Sequence, residues 1–108
     1  MRTIRNKHIP FRGFQAINLF GLVFVRKEHF PLSETSINHE KIHTRQMQEL
    51  AFLPFYLFYI LEWLIKSTQH RSFRQGYLSI SFEREAYSNQ ENFSYLENRK
   101  WWNFVNYL

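Results

Sequence analysis

Between Leu50 and Ile65 the chain carries sixteen residues in which Pro54 and Glu62 are the main interruptions of an apolar run. A bilayer-spanning helix needs roughly twenty such residues, so this run is too short to cross a membrane. Proline lacks a backbone N–H and clashes with the preceding turn, so a helix entering from upstream ends or kinks near Phe52. Beyond the proline, Phe55–Ile65 is apolar all round except at Glu62. The first reading is a helix buried by the rest of a small domain. The second is a helix lying against a membrane or a partner, because an all-round apolar helix is hard to cover in 108 residues.

That length predicts one domain, residues 1–108. Hydrophobic residues make up 44% and charged ones 21%, enough for a core, and the 19% aromatic content builds one from few side chains. Cysteine is absent, which excludes disulfides, thiolate metal sites and cysteine nucleophiles. All nine acidic residues are glutamate, so a Ser-His-Asp triad, an aspartic dyad and an EF-hand loop are excluded as well. The net charge of +5 is scattered rather than gathered in a tail, and no nucleic-acid motif accompanies it. Nucleic acid is therefore not an expected partner. The N-terminus superficially resembles a secretory signal, but Gln15, Asn18 and Gly21 interrupt it and Arg-Lys-Glu-His follows, so it reads as structure. The expected location is cytoplasmic, with peripheral membrane association through Phe55–Ile65 as an option.

The pattern predicts an α+β fold: a short N-terminal β-hairpin or strand pair, then about three helices. Phe14–Phe20 and Leu22–Arg26 are rich in Phe, Val, Ile and Leu and flank Gly21, which suits a hairpin. Ser33, Thr35 and Ser36 are candidate caps for a helix in which Ile37, the 39/43 pair, Met47 and Leu50 recur at spacings of three and four. Ser67–Tyr77, polar, basic and containing Gly76, reads as a loop. A third helix is expected over about Phe82–Arg99, with Phe82, Ala86, Phe93 and Leu96 on its apolar face, and the aromatic tail Trp101–Leu108 is expected to pack back onto the domain.

One motif carries chemistry: His39-Glu40-Lys41-Ile42-His43, an HExxH on the first predicted helix. Residues i and i+4 share a face, with Cβ atoms about 5–6 Å apart. Two imidazoles so placed can converge on one ion at the zinc–nitrogen distance of about 2.0–2.1 Å. Glu40, turned about 100° round the helix, does not ligate but can take a proton from water at the same metal. The bland alternative is a solvated helical face. A catalytic zinc site needs a third protein ligand, for which His8, His29, His70, Glu62, Glu83 and Glu85 are the candidates. Glu83 and Glu85 open a helix, where first-turn acids also serve simply to offset the helix dipole.

Taken in order, a strand pair, an HExxH helix, an intervening helix and then Glu83-Arg84-Glu85-Ala86-Tyr87 resemble the gluzincin metallopeptidases. Their third ligand is a glutamate on a later helix, in the pattern ExxAD. The stretch His39–Gln46 with its following apolar segment is also similar to the protease portion of BlaR-type peptidases, and the size resembles the minimal scaffold called minigluzincin. The resemblance covers roughly Phe14 to Asn92. It implies His39, His43 and Glu83 as Zn2+ ligands, with Glu85 as the fallback for the third place, and Glu40 as general base. The family's aspartate, which supports a ligating histidine, falls at Tyr87, whose hydroxyl accepts a hydrogen bond more weakly. Hydrolysis of a peptide or protein substrate is the implied reaction, with Tyr77 and Tyr87 the tyrosines nearest the site in sequence. In such folds an edge strand before the HExxH helix lays out the substrate backbone, and Leu22–Arg26 is the segment in that position. The alternative from a different class is a non-catalytic protein-binding or peripheral membrane module in which the metal site is incidental or structural.

Overall fold

The computed structural model describes residues 2–10 and 14–108; Arg12, one of the scattered cations, lies outside them. The architecture is α+β, a small mixed sheet followed by helices. Strands β1 (Arg2–Asn6), β2 (Ala16–Leu19) and β3 (Leu22–Arg26) form a sheet of order β1-β3-β2. The β2–β3 hairpin turns through Phe20 and Gly21, both at positive φ (55° and 90°), which matches the right-handed twist of the strands it joins. Strand β1 was not anticipated, because Arg2–Asn6 is polar and basic. It pairs in parallel with β3, Arg2 opposite Leu22 through Asn6 opposite Arg26. This overturns the expectation that Leu22–Arg26 is an edge strand: β3 is central and its ladder is occupied on both sides.

Helix α1 (Glu34–Glu49) starts where the Ser33 side chain accepts a hydrogen bond from the Ser36 N–H at 3.1 Å. Its inward face presents Asn38, His39, Ile42, His43, Gln46 and Met47. Asn18 of β2 donates to the Glu40 carbonyl and to Thr44 Oγ1, which fixes the sheet against this helix. After α1, Ala51 and Phe52 both have positive φ and the chain turns by 111° into helix α2 (Leu53–His70), with Pro54 in its first turn. No single helix is long and apolar enough to cross a membrane.

Three expectations from the sequence do not hold. First, α2 is not enclosed: only Phe55 and Ser67 of its residues are buried. Second, Ser67–Tyr77 is not a loop. α2 runs through Ser67 to His70, and helix α3 (Phe73–Ser79), capped by Ser72, folds back beside it. Gly76 serves this packing rather than a turn, since a Cβ there would stand 2.6 Å from both the Cα and the N of Ser67. Third, the helix expected over Phe82–Arg99 is split into α4 (Ser81–Asn89) and the short α5 (Tyr95–Asn98). The Asn38 amide of α1 captures the carbonyls of Asn89, Gln90 and Asn92, in a run of Ser, Asn and Gln with weak helix propensity. Phe82 and Ala86 are buried as expected, whereas Phe93 is exposed and Leu96 half-buried. The tail folds back through Phe104, whose ring lies 4.7 Å from that of Phe82, while Trp101 and Trp102 stay exposed.

The core has two clusters on either side of α1. Val23, Val25 and Leu32 lie under the sheet, packed by Ala16 and Ile37. Met47, Leu50, Phe55, Ile80, Phe82 and Phe104 join α1, α2, α4 and the tail. The junction of α1 and α4 is where the polar side chains gather.

Candidate metal centre

Helix α1 delivers His39 and His43 one turn apart to its inward face, and both are buried. Helix α4 delivers the third group. Ile80 is extended and breaks α3 from α4, and Ser81, first in α4, gives its backbone N–H and its hydroxyl to the Glu62 carboxylate of α2 at 3.0 and 2.6 Å. That contact sets Glu83 in the first turn of α4 with its carboxylate facing α1. His39 Nε2 and His43 Nε2 lie 3.1 and 3.0 Å from Glu83 Oε1, and 3.0 Å from each other.

These distances describe a nearly equilateral triangle of three donor atoms. Ligands bound tetrahedrally to zinc at about 2.0–2.1 Å stand about 3.3 Å apart, so small outward shifts would fit this set to the ion. Each imidazole is also held in the orientation that a metal ligand needs. His39 Nδ1 lies 2.8 Å from Gln90 Oε1 and His43 Nδ1 lies 2.8 Å from Gln46 Oε1. An amide oxygen only accepts, so each Nδ1 carries a proton and Nε2 is the nitrogen each imidazole turns into the triangle. Tyr59 of α2 donates to Glu83 Oε2 at 2.6 Å, which leaves Oε1 to face the histidines. Among the described residues, His39, His43 and Glu83 are the one group of three or more such side chains close enough to hold a metal ion.

The electrostatics reflect burial and proximity. Burial disfavours a charged His43, but Glu83 beside it outweighs that and raises the imidazole to about 9. Burial likewise opposes ionisation of Glu83, yet His43 and His39 hold its carboxyl well below the usual carboxylate range. At neutral pH the triangle thus attracts a proton, and a divalent cation competes for the same place. Burial pushes the Glu40 carboxyl upward, partly offset by His43 and His39. Among the described residues no side chain hydrogen-bonds to that carboxylate.

The other candidates lie elsewhere. His8 and His29 are exposed, His70 pairs with Ser79 Oγ at 3.2 Å, and Glu62 anchors the start of α4. Glu85 is turned away from the triangle, so the structure does not bring the fallback ligand to the centre. It accepts from Arg99 Nε at 2.5 Å, from Tyr95 at 2.5 Å and from Gln46 Nε2 at 2.9 Å. Arg99 continues to Glu49, also at 2.5 Å, in a pair with no exposed side-chain surface. A buried chain of contacts therefore runs from His43 through Gln46 and Glu85 to Arg99 and Glu49. Tyr87 does not take the supporting aspartate's part: its ring packs edge-on against His39 at 4.6 Å, and its hydroxyl pairs with Tyr77 at 3.2 Å.

Four residues that shape this centre escaped the sequence reading: Gln46, Gln90, Tyr59 and Arg99. Gln46 lies three residues after His43 and Gln90 seven after Glu83, so helical spacing pointed to both. No sequence spacing connects Tyr59 or Arg99 to the centre. No protein-family model matches the chain, and no curated protein or solved structure matches it either.

Proposed function

We propose that His39, His43 and Glu83 hold a catalytic Zn2+ and that the chain hydrolyses peptide bonds of a peptide or protein substrate, with Glu40 as general base. The observation that carries this reading is the donor triangle of 3.0–3.1 Å edges whose two imidazoles are oriented by glutamine carbonyls. A zinc ion supplies Lewis acidity there, making water nucleophilic near neutral pH and polarising a carbonyl. Glu40 follows His39 on the same turn, and its carboxylate is not committed to another described side chain. It accepts a proton from the attacking water and returns it to the leaving amine. Tyr59 keeps Glu83 aimed and stays protonated, because burial and the neighbouring Glu83 push its hydroxyl far above its ordinary value of 10.0.

A second reading, a structural ion, is favoured by one observation. The three ligands are only 4–7% exposed, and a structural site is closed where a catalytic one keeps an open position. Glu40 separates the two. Elemental mass spectrometry is expected to find close to one zinc per chain in the wild type and clearly less in Glu83→Ala. Glu40→Gln is expected to keep the zinc and lose at least about 100-fold of the hydrolysis of a quenched fluorescent casein. Full zinc without hydrolysis in the wild type would leave the structural ion, and no zinc even after addition would end both readings.

A further inference from the structure

Helix α2 is inside out. Its polar groups face the domain: Tyr56 donates to the Asn18 carbonyl, Tyr59 to Glu83, and Glu62 accepts from Ser81. Most of its apolar groups face outward. Leu53, Leu57, Phe58, Ile60, Leu61, Leu64 and Ile65 are each between 48% and 64% exposed. At 3.6 residues per turn they fill one uninterrupted arc of about 160° along about 18 Å of helix. The folded-back tail widens this surface on one side, where Trp102, Val105 and Leu108 join Phe58, Leu61 and Ile65 around an apolar groove of about 430 Å³. Phe73 of α3, 70% exposed, widens it on the other. Monomeric soluble proteins rarely leave so large a contiguous apolar patch in water.

The charges beside the patch indicate what covers it. Arg71 and Arg74 stand exposed on the α3 side, while Lys66 borders the groove and Lys100 precedes the exposed Trp101–Trp102 pair on the tail side. From Lys41 to Gln90 every exposed charge of fixed sign is a cation, whereas on the tail side the exposed Glu97 lies three residues before Lys100. The carboxylates between Lys41 and Gln90 are buried (Glu49, Glu83, Glu85) or half-buried and bonded (Glu62 to Ser81). An apolar face with exposed arginines on its α3 flank and tryptophans at its tail margin matches the interfacial layer of an anionic bilayer. We infer that α2 lies in the plane of an anionic lipid surface, apolar face down, with Arg71 and Arg74 at headgroup level.

Vesicle sedimentation tests this, with phosphatidylcholine alone and with phosphatidylcholine–phosphatidylglycerol mixtures. The wild type is expected to partition at least about tenfold more strongly onto the anionic vesicles, falling with added salt. Leu57→Gln with Leu61→Gln, both at exposed positions, is expected to lower that partitioning by at least about tenfold. Arg71→Glu with Arg74→Glu is expected to abolish the anionic preference. Circular dichroism checks that each variant is folded, and Leu64→Gln with Ile65→Gln replaces the first pair if it is not. A wild type that ignores anionic vesicles, or a Leu57/Leu61 variant that binds as well as wild type, would overturn the inference. Light scattering that shows a dimer, converted to monomer by the Leu57/Leu61 variant without any vesicle binding, would instead assign this face to a second copy of the chain.

Discussion

Gln46 is fully enclosed, and its whole amide is engaged: Oε1 faces His43 Nδ1, while Nε2 donates to the Phe82 carbonyl and to Glu85. Gln90 does the equivalent for His39 from a half-buried position at the end of α4. The two glutamines should therefore respond differently to truncation. Gln90→Ala removes one orienting contact from a place that water can reach. It is expected to weaken zinc binding by about tenfold with little change in stability. Gln46→Ala strands a histidine N–H and removes one donor from the Glu85 carboxylate in the interior. A stability loss of about 1–3 kcal/mol should accompany its weakened zinc binding. A chelator-competition titration read beside a urea melt measures both quantities. Equal stability losses would show that burial around Gln46 is not what sets its cost.

At the scale of elements, the tightest contact is between α2 and α3. Gly76→Ala gains helix propensity of about 1 kcal/mol but drives a methyl group against the Ser67 backbone, which cannot rotate aside. The expected net effect is a loss of about 1–3 kcal/mol in urea unfolding. Ser67→Ala, which deletes a buried hydroxyl lacking a hydrogen-bond partner among the described residues, is expected to be neutral or stabilising. This same pair shows why Ser67–Tyr77 misled the sequence reading. Polar residues around a glycine mark a loop by composition, and only the neighbouring helix shows that the glycine admits a close approach. The hairpin at Gly21, the capped α1 and the start of α2 at Pro54 were legible, because a turn residue, a cap or a helix breaker acts within a few residues. Strand β1 was not, since Arg2–Asn6 has no apolar alternation and owes its place to a parallel ladder with β3. For the centre, His39 and His43 were readable from a single helical turn. Only the family resemblance favoured Glu83 over Glu85; the physical reason Glu85 points elsewhere, its pairing with Arg99 and through it Glu49, comes from distant parts of the chain.

For the molecule as a whole, two tyrosines tie together segments far apart in sequence. Tyr56 of α2 joins the hairpin, accepting from the Phe20 N–H and donating to the Asn18 carbonyl. Tyr95 of α5 donates to Glu85 and accepts from Asn103. Burial raises both above the ordinary 10.0, opposed at Tyr56 by the Phe20 N–H and reinforced at Tyr95 by Glu85. Above 10.0 the unfolded chain loses protons that the folded one keeps, so stability falls as pH rises through that value. Thermal melts on both sides of pH 10.0 should show the decline, and a flat profile would show that neither hydroxyl needs its proton to hold these segments. The donor triangle, for its part, is divided between two elements far apart in sequence. His39 and His43 are neighbours on one helix and would sit side by side even in a chain that had formed only that helix. Glu83 reaches them only once α4 has docked, forty residues later in sequence. Affinity for the proposed ion would thus be a gauge of assembly, since the histidine pair belongs to a local turn and the complete triangle to the finished tertiary structure.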